Sequence, residues 1–217
     1  MEFIQRFIVN FSIVFVALTA IVGLVRFRRL DLIQRYLLVL TLLALAVETA
    51  ARTLAYYKQP NLFLAPIDSV LEFVCLALIY QRALRPSGIS RAIPWLAAAF
   101  VLGSALTYSP QLDTVQFSPV QHFIESLLVL AFVGCYFYRE ITRQVVIGRL
   151  EHEPMFWVST GLLLYFSSSM FIFLSSNYVL GLSRQLSVRV WAIHALLYIF
   201  LNILFSIALW QPARQRA

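Results

Sequence analysis

The first apolar stretch of the chain, residues 7–25, reads FIVNFSIVFVALTAIVGLV and is followed at once by Arg26, Arg28 and Arg29. A helix of this length can cross the hydrocarbon core of a bilayer, which is about 30 Å thick. The stretch is too long for the apolar region of an ordinary signal peptide, and it has no Ala-x-Ala cleavage site. We therefore expect a retained membrane-spanning helix.

Six further apolar stretches follow, and together they predict an all-α fold, a polytopic membrane protein with a single bundle of seven transmembrane helices over residues 1–217. The predicted spans lie near residues 7–25, 32–54, 62–80, 93–108, 120–138, 155–180 and 190–210. The composition agrees, because 61% of the residues are hydrophobic, 12% are charged and the mean hydropathy is +0.81. Soluble domains are about 45–50% apolar and about 25% charged, so soluble, disordered and disulfide-rich secreted proteins are excluded.

The basic residues predict the orientation of the bundle. Of the 17 Lys and Arg residues, twelve lie in loops 26–35, 81–92 and 139–153 or after Trp210, and five lie on the other side. Cytoplasmic loops are enriched in Lys and Arg, so we expect the N-terminus outside and the C-terminus in the cytoplasm. The net charge of +7 is thus explained by topology, and the expected partner is the lipid bilayer rather than a nucleic acid.

Ionisable residues inside the predicted spans are the main functional signal, because such residues are costly in a membrane. From a rise of 1.5 Å per residue, seven of them lie at one depth, roughly 5–15 Å below the outer surface. They share helix faces at i,i+3 or i,i+4 spacing, and Tyr198 and Asn202 continue the stripe of the last one. We therefore predict one outward-opening ligand-binding cavity lined by Glu48, Arg52, Asp68, Glu72, His122, Glu125, His194, Tyr198 and Asn202.

The charge balance of this layer leaves the ligand open. Four carboxylates face one clear cation, Arg52, and such a set cannot stay ionised at low dielectric without compensation. Protonation, water or a bound cation would each relieve the imbalance. A divalent metal is one option, with Glu72, His122, Glu125 and His194 as its possible ligands, although His-x-x-Glu reverses the Glu-x-x-His order of di-metal bundles.

Structural roles compete with the functional ones. Glu48 and Arg52 have the spacing of an intrahelical ion pair, and Asp68 lies near enough to a helix start to act as a cap or dipole partner. A lone histidine in a span, such as His194, is more often a hydrogen-bonded core residue than a ligand. His152, beside Glu151 in a cytoplasmic loop, is expected to be solvated.

The residue inventory excludes two kinds of seven-helix protein. Retinal requires a lysine in the last helix, and the only lysine is Lys58, in an outer loop, so no retinal is expected. Membrane hydrolases of the ceramidase and adiponectin-receptor type use three histidines for zinc, whereas only His122 and His194 lie in spans here.

One segment resembles a known group of proteins. Residues 153–157, reading EPMFW, are followed by Gly161, by YFS at 165–167, and by Trp191 and His194. This pattern, over about the last third of the chain, resembles small bacterial seven-helix sensory modules associated with histidine kinases. The resemblance implies a bacterial inner membrane and, because no kinase is present in this sequence, a signalling partner such as a histidine kinase acting in trans.

The sequence therefore favours a sensory or receptor-like membrane protein that binds a small polar ligand, a proton or a metal ion. Loops 81–92 and 139–153 would pass a helix shift to the cytoplasmic partner. Two alternatives remain open: a metal-dependent integral-membrane enzyme using the same Glu, Asp and His residues, and a proton- or cation-coupled transporter. No catalytic residue is assigned.

Overall fold

The structure, a computed structural model, describes residues 2–109, 119–142, 151–182 and 184–212. The side chains of 2–6, 173, 175–182, 184–185 and 187 lie outside this description. Seven α-helices cover almost all of these residues, and the described part contains no β-strand. In chain order the helices are α1 Glu2–Val25, α2 Leu32–Tyr56, α3 Leu64–Ala83, α4 Gly88–Thr107, α5 Pro119–Thr142, α6 Pro154–Leu182 and α7 Arg184–Trp210.

All seven helices are long and apolar enough to cross a membrane, so the predicted seven-helix membrane bundle is confirmed. The start of α7 differs most from the prediction, at Arg184 rather than near residue 190, and α4 begins at Gly88 rather than near residue 93. The Ser87 side chain caps the new start by accepting a hydrogen bond from the Ser90 N–H, which satisfies a backbone donor that has no partner within the helix. Pro94 therefore lies inside the helix and does not begin it.

Six of the seven described helices pack in a ring, and α4 lies outside this ring. The chain neighbours α1–α2, α2–α3, α5–α6 and α6–α7 pack together, α3 contacts α5, and α7 closes the ring on α1. The fourth helix packs mainly against α3. The interior of the bundle is therefore bounded by α1, α2, α3, α5, α6 and α7.

One half of this interior is filled by apolar side chains. We call it the core half, and it lies at the end of the bundle where residues 26–31, 84–87 and 151–153 are found. Its side chains are at most 3% exposed and include Leu37, Phe73, Leu76, Ile79, Tyr80, Phe132, Val133, Val158, Leu162 and Leu209. The Tyr80 hydroxyl is satisfied by the hydroxyl of Ser159 at 2.9 Å, so even the polar atom of this large side chain has a partner.

Polar contacts join the helix ends at the same end of the bundle. The Gln34 side chain forms a capping box with Asp31, and its amide nitrogen also donates to the carbonyls of Ala208 at 2.9 Å and Gln211 at 3.1 Å. Arg26 lies over the Trp210 ring at 4.8 Å and donates to the Trp210 carbonyl. These contacts join the start of α2 and the end of α1 to the end of α7.

Candidate ligand-binding cavity

The other half of the interior, here called the cavity half, contains an open space of about 410 Å³. Its walls come from α1, α2, α3, α6 and α7, and from Asn61 and Leu62 before α3. Seven of the nine residues predicted from the sequence lie on these walls: Glu48, Arg52, Asp68, Glu72, His194, Tyr198 and Asn202.

The remaining two predicted residues, His122 and Glu125, do not lie on the cavity wall. They are buried between α3 and α5, where Ser69 donates to the Glu125 Oε2 at 2.6 Å and the His122 Nδ1 lies 3.3 Å from the same oxygen. The other carboxyl oxygen of Glu125 is buried and has no hydrogen-bond partner among the residues that the structure describes. Both residues still interact electrostatically with the cavity, His122 with Asp68 and Glu125 with Glu72.

The Glu48–Arg52 pair is present as an ion pair, as the structural alternative predicted. The Arg52 Nη2 lies 2.6 Å from the Glu48 Oε1. The same nitrogen donates to the Val9 carbonyl at 2.9 Å, and Ser12 donates to Glu48 at 3.3 Å. The pair therefore also joins α2 to α1, and the charge of Arg52 is already compensated.

Asp68 and Glu72 are in a different situation. They lie one turn apart on α3, on the cavity wall, and the described residues provide neither carboxyl with a hydrogen bond or an ion pair. Asp68 is not a cap, because the N-cap of α3 is Phe63 and it makes no side-chain cap hydrogen bond. Each carboxyl also lies within electrostatic reach of the other, so the two acceptors add their negative potential in one region.

Aromatic rings from α6 and α7 form the opposite wall. The Tyr165 hydroxyl and the His194 Nε2 are 3.0 Å apart, so His194 is hydrogen-bonded, as the structural alternative predicted, and it also lines the cavity. The ring centroid of Tyr165 lies 5.9 Å from that of Tyr198, and the Trp191 ring lies 5.6 Å from His194. We call Tyr165, Trp191, His194 and Tyr198 the aromatic wall.

Each side-chain amide at the cavity already donates one hydrogen bond to a backbone carbonyl. The Asn61 Nδ2 donates to the Ala51 carbonyl at 3.1 Å, and the Asn202 Nδ2 donates to the Tyr198 carbonyl at 2.9 Å. Apolar residues complete the lining, chiefly Leu40, Ala44, Leu71, Leu201 and Phe205.

Five wall residues with polar side-chain atoms were not in the predicted set: Ser12, Thr41, Asn61, Tyr165 and Trp191. Ser12 is a polar residue within the first apolar stretch, a signal that the sequence contained. Asn61 precedes α3, outside the apolar stretches that predict the spans.

The four possible metal ligands do not come together as one set. Glu72 and His194 lie on the cavity wall, whereas His122 and Glu125 lie between α3 and α5. Across residues 2–109, 119–142, 151–182 and 184–212, no group of three or more His, Cys, Asp or Glu side chains has a metal-binding arrangement.

Comparisons with protein-family models, with curated proteins and with solved structures find no match to this chain. The cavity presents two carboxyls that the described residues leave without hydrogen bonds, a wall of aromatic rings and an apolar floor, an arrangement suited to holding a small molecule in a fixed orientation.

Proposed function

We propose that this protein is a receptor-like protein of a bacterial cytoplasmic membrane that binds a small polar molecule in the cavity half and signals to a cytoplasmic partner. The bound molecule would alter the packing of the helices that form the cavity. The partner would detect this change at the loop between α3 and α4, residues 84–87, and at the loop between α5 and α6. The excess of Lys and Arg in and next to these loops supports their cytoplasmic location.

The observation that carries the proposal is the contrast between an open polar cavity and a closed core within one bundle. A cavity of about 410 Å³ falls within the range of small-molecule sites, about 300–1,000 Å³. Polar side chains that face such a space inside a membrane indicate a functional site, because they reduce the packing of the helices and carry a desolvation penalty.

The core half favours a receptor over a transporter. A transport pathway would need polar groups beyond the cavity floor, where Asn202 and Ser206 are the nearest polar side chains on α7. The Ser206 hydroxyl instead donates to the Asn202 carbonyl at 2.9 Å and lies 2.9 Å from the Thr19 hydroxyl. Leu37 and Leu209, which lie farther toward the core end, are fully buried.

The direct test is whether the protein retains a small molecule in this cavity. Ala44 lines the cavity, so Ala44→Trp should fill much of the space. Ala46 is exposed on the same helix, and Ala46→Trp is the matched control. Small molecules extracted from the purified proteins and compared by mass spectrometry should include one that wild type and Ala46→Trp retain and Ala44→Trp loses. Identical extracts from all three proteins would contradict ligand binding in the cavity.

The signalling part of the proposal has a separate test in intact cells. A photo-crosslinking residue at Arg85 or His152 should capture a cytoplasmic protein, and Ala44→Trp should change the yield. The same residue at Tyr57, in the loop at the cavity end, is the control and should capture none. Equal capture from Tyr57, or a yield unaffected by Ala44→Trp, would contradict signalling through these loops.

A further inference from the structure

The polar atoms on the cavity walls differ in a way that indicates the charge of the ligand. Arg52, the arginine on the walls, is already bound to Glu48 and to the Val9 carbonyl, and each wall amide donates one hydrogen bond to a backbone carbonyl. The carboxyl acceptors of Asp68 and Glu72 have no partner among the described residues. An anionic ligand would face two carboxyls and an arginine that is already paired, whereas a cationic ligand would find two carboxyl acceptors available.

The aromatic wall is a second and independent observation. Tyr165, Trp191 and Tyr198 line the same space as the two carboxyls. The faces of aromatic rings carry negative potential, and they attract a cation within about 6 Å of the ring centre, most strongly when water is excluded. Carboxyls on α3 and rings on α6 and α7 therefore favour the same sign of charge from two sides.

The apolar floor of the cavity indicates the chemistry of the uncharged part of the ligand. Leu40, Leu201 and Phe205 line the cavity toward the core half, and they offer no hydrogen bond to a polar group. A bare metal ion would leave this surface uncovered, and the described residues lack a metal-binding group of three or more ligands. An apolar body attached to the charged group would cover it.

From these observations we infer that the ligand is an organic amine: a protonated nitrogen between Asp68, Glu72 and the aromatic wall, with an apolar body on the floor of the cavity. This inference rests on the proposed function and names its ligand class. An N–H bond of the ammonium group would donate to each carboxyl, a charge-assisted contact that is stronger than a neutral hydrogen bond.

Three probes of similar size and different charge test the inference: 2-phenylethylamine, 2-phenylethanol and 3-phenylpropanoate. Binding to the full-length protein in lipid nanodiscs is measured by calorimetry. We expect the amine to bind at least about tenfold more tightly than the alcohol, a difference of about 1.4 kcal/mol. The carboxylate should not bind at millimolar concentration. Tighter binding of the carboxylate, or no binding of the amine, would overturn the inference.

Variants locate the binding in the cavity. Glu72→Gln and Asp68→Asn should each weaken amine binding at least about tenfold, and Glu72→Asp, which keeps the charge, should recover most of it. Glu151→Gln is the matched control, because this glutamate is exposed and lies at the core end. Amine binding that is equal in Glu72→Gln, Asp68→Asn and Glu151→Gln would show that the carboxyls do not hold the amine.

The two proposals fail in different ways. If wild type retains a molecule that Ala44→Trp loses, and that molecule has no basic nitrogen, the amine class is wrong and the cavity remains a binding site. If the extracts do not differ and the amine binds Ala44→Trp as tightly as wild type, the proposed function itself fails.

Discussion

The two halves of the bundle are built from the same helices but differ in what their side chains contact. On α3, Leu76 and Tyr80 are fully buried among apolar neighbours, whereas Glu72 and Asp68, about one and two turns before Leu76, face an open cavity. On α7, Leu209 is fully buried, and His194 and Tyr198 line the cavity. Each of these helices therefore changes from a packed to a polar surface along its length.

This difference separates stability from binding. In a membrane, helices associate through close packing and interhelical hydrogen bonds, because lipid is as apolar as the side chains. The core half provides both, through its buried side chains and through Gln34 and Ser159. The cavity half is less tightly packed, and the described residues leave two of its carboxyls without hydrogen bonds, a local cost in stability that binding sites commonly carry.

The largest expected effect is a difference in chemical labelling, because the two halves of the bundle should face opposite sides of the membrane. A cysteine at Tyr57, exposed at the cavity end, should react with a membrane-impermeant maleimide on intact cells. A cysteine at Arg85, exposed at the core end, should react only after the membrane is opened. The reverse pattern would place the cavity half on the cytoplasmic side and would contradict the orientation deduced from the basic loops.

The next largest effect is a difference between the two halves in the stability lost when a leucine is truncated. Leu76→Ala should reduce the free energy of unfolding by about 2 kcal/mol or more, because it leaves a cavity in a filled region. Leu71→Ala on the same helix should cost less than about 1 kcal/mol, because its side chain already borders open space. Unfolding in detergent measures both variants. Equal losses would mean that the cavity half is as tightly packed as the core half.

The sequence predicted the position of each ionisable residue along its helix better than the direction in which its side chain points. The number of residues from each span end, at 1.5 Å per residue, brought the ionisable groups to one half of the bundle. A helix turns about 100° per residue, so a small error in its orientation moves a side chain from the cavity to a neighbouring helix. This is why Glu125, at the predicted depth, instead accepts a hydrogen bond from Ser69.

The contacts that decide the ligand could not be predicted from the spans alone. The sequence indicated that Arg52 could pair with Glu48, four residues away, but not that Val9 and Ser12 of another helix would join them. Asn61 could be identified only once the start of α3 was known. Hydrogen bonds between helices depend on their relative rotation, which hydropathy does not encode.

A smaller effect is expected at the ion pair that joins α1 and α2. The side chains of Arg52 and Glu48 are 33% and 21% exposed, so screening limits the value of the pair. Arg52→Gln should destabilise the protein by about 1 kcal/mol, because it leaves Glu48 with only Ser12 as a partner. Adding Glu48→Gln should restore most of this loss. A double variant that is less stable than Arg52→Gln alone would contradict the pairing.

The smallest effect tests whether the two sides of the cavity act on one ligand. Glu72 lies on α3 and His194 on α7, and both line the cavity without contacting each other in an ion pair. If one amine contacts both walls, removing either side chain lets the ligand shift, and the second removal then costs a different amount. Glu72→Gln and His194→Ala should therefore be non-additive in their effects on 2-phenylethylamine affinity, by about 0.5 kcal/mol or more.

The matched cycle combines Glu72→Gln with His152→Ala. His152 is exposed, next to Glu151 at the core end, and distant substitutions without shared partners add within about 0.3–0.5 kcal/mol. This pair should be additive, which sets the error of the measurement. If the Glu72 and His194 pair is equally additive, the two walls do not share a ligand. The amine would then be held by α3 alone, and the aromatic wall would have a structural role in packing α6 against α7.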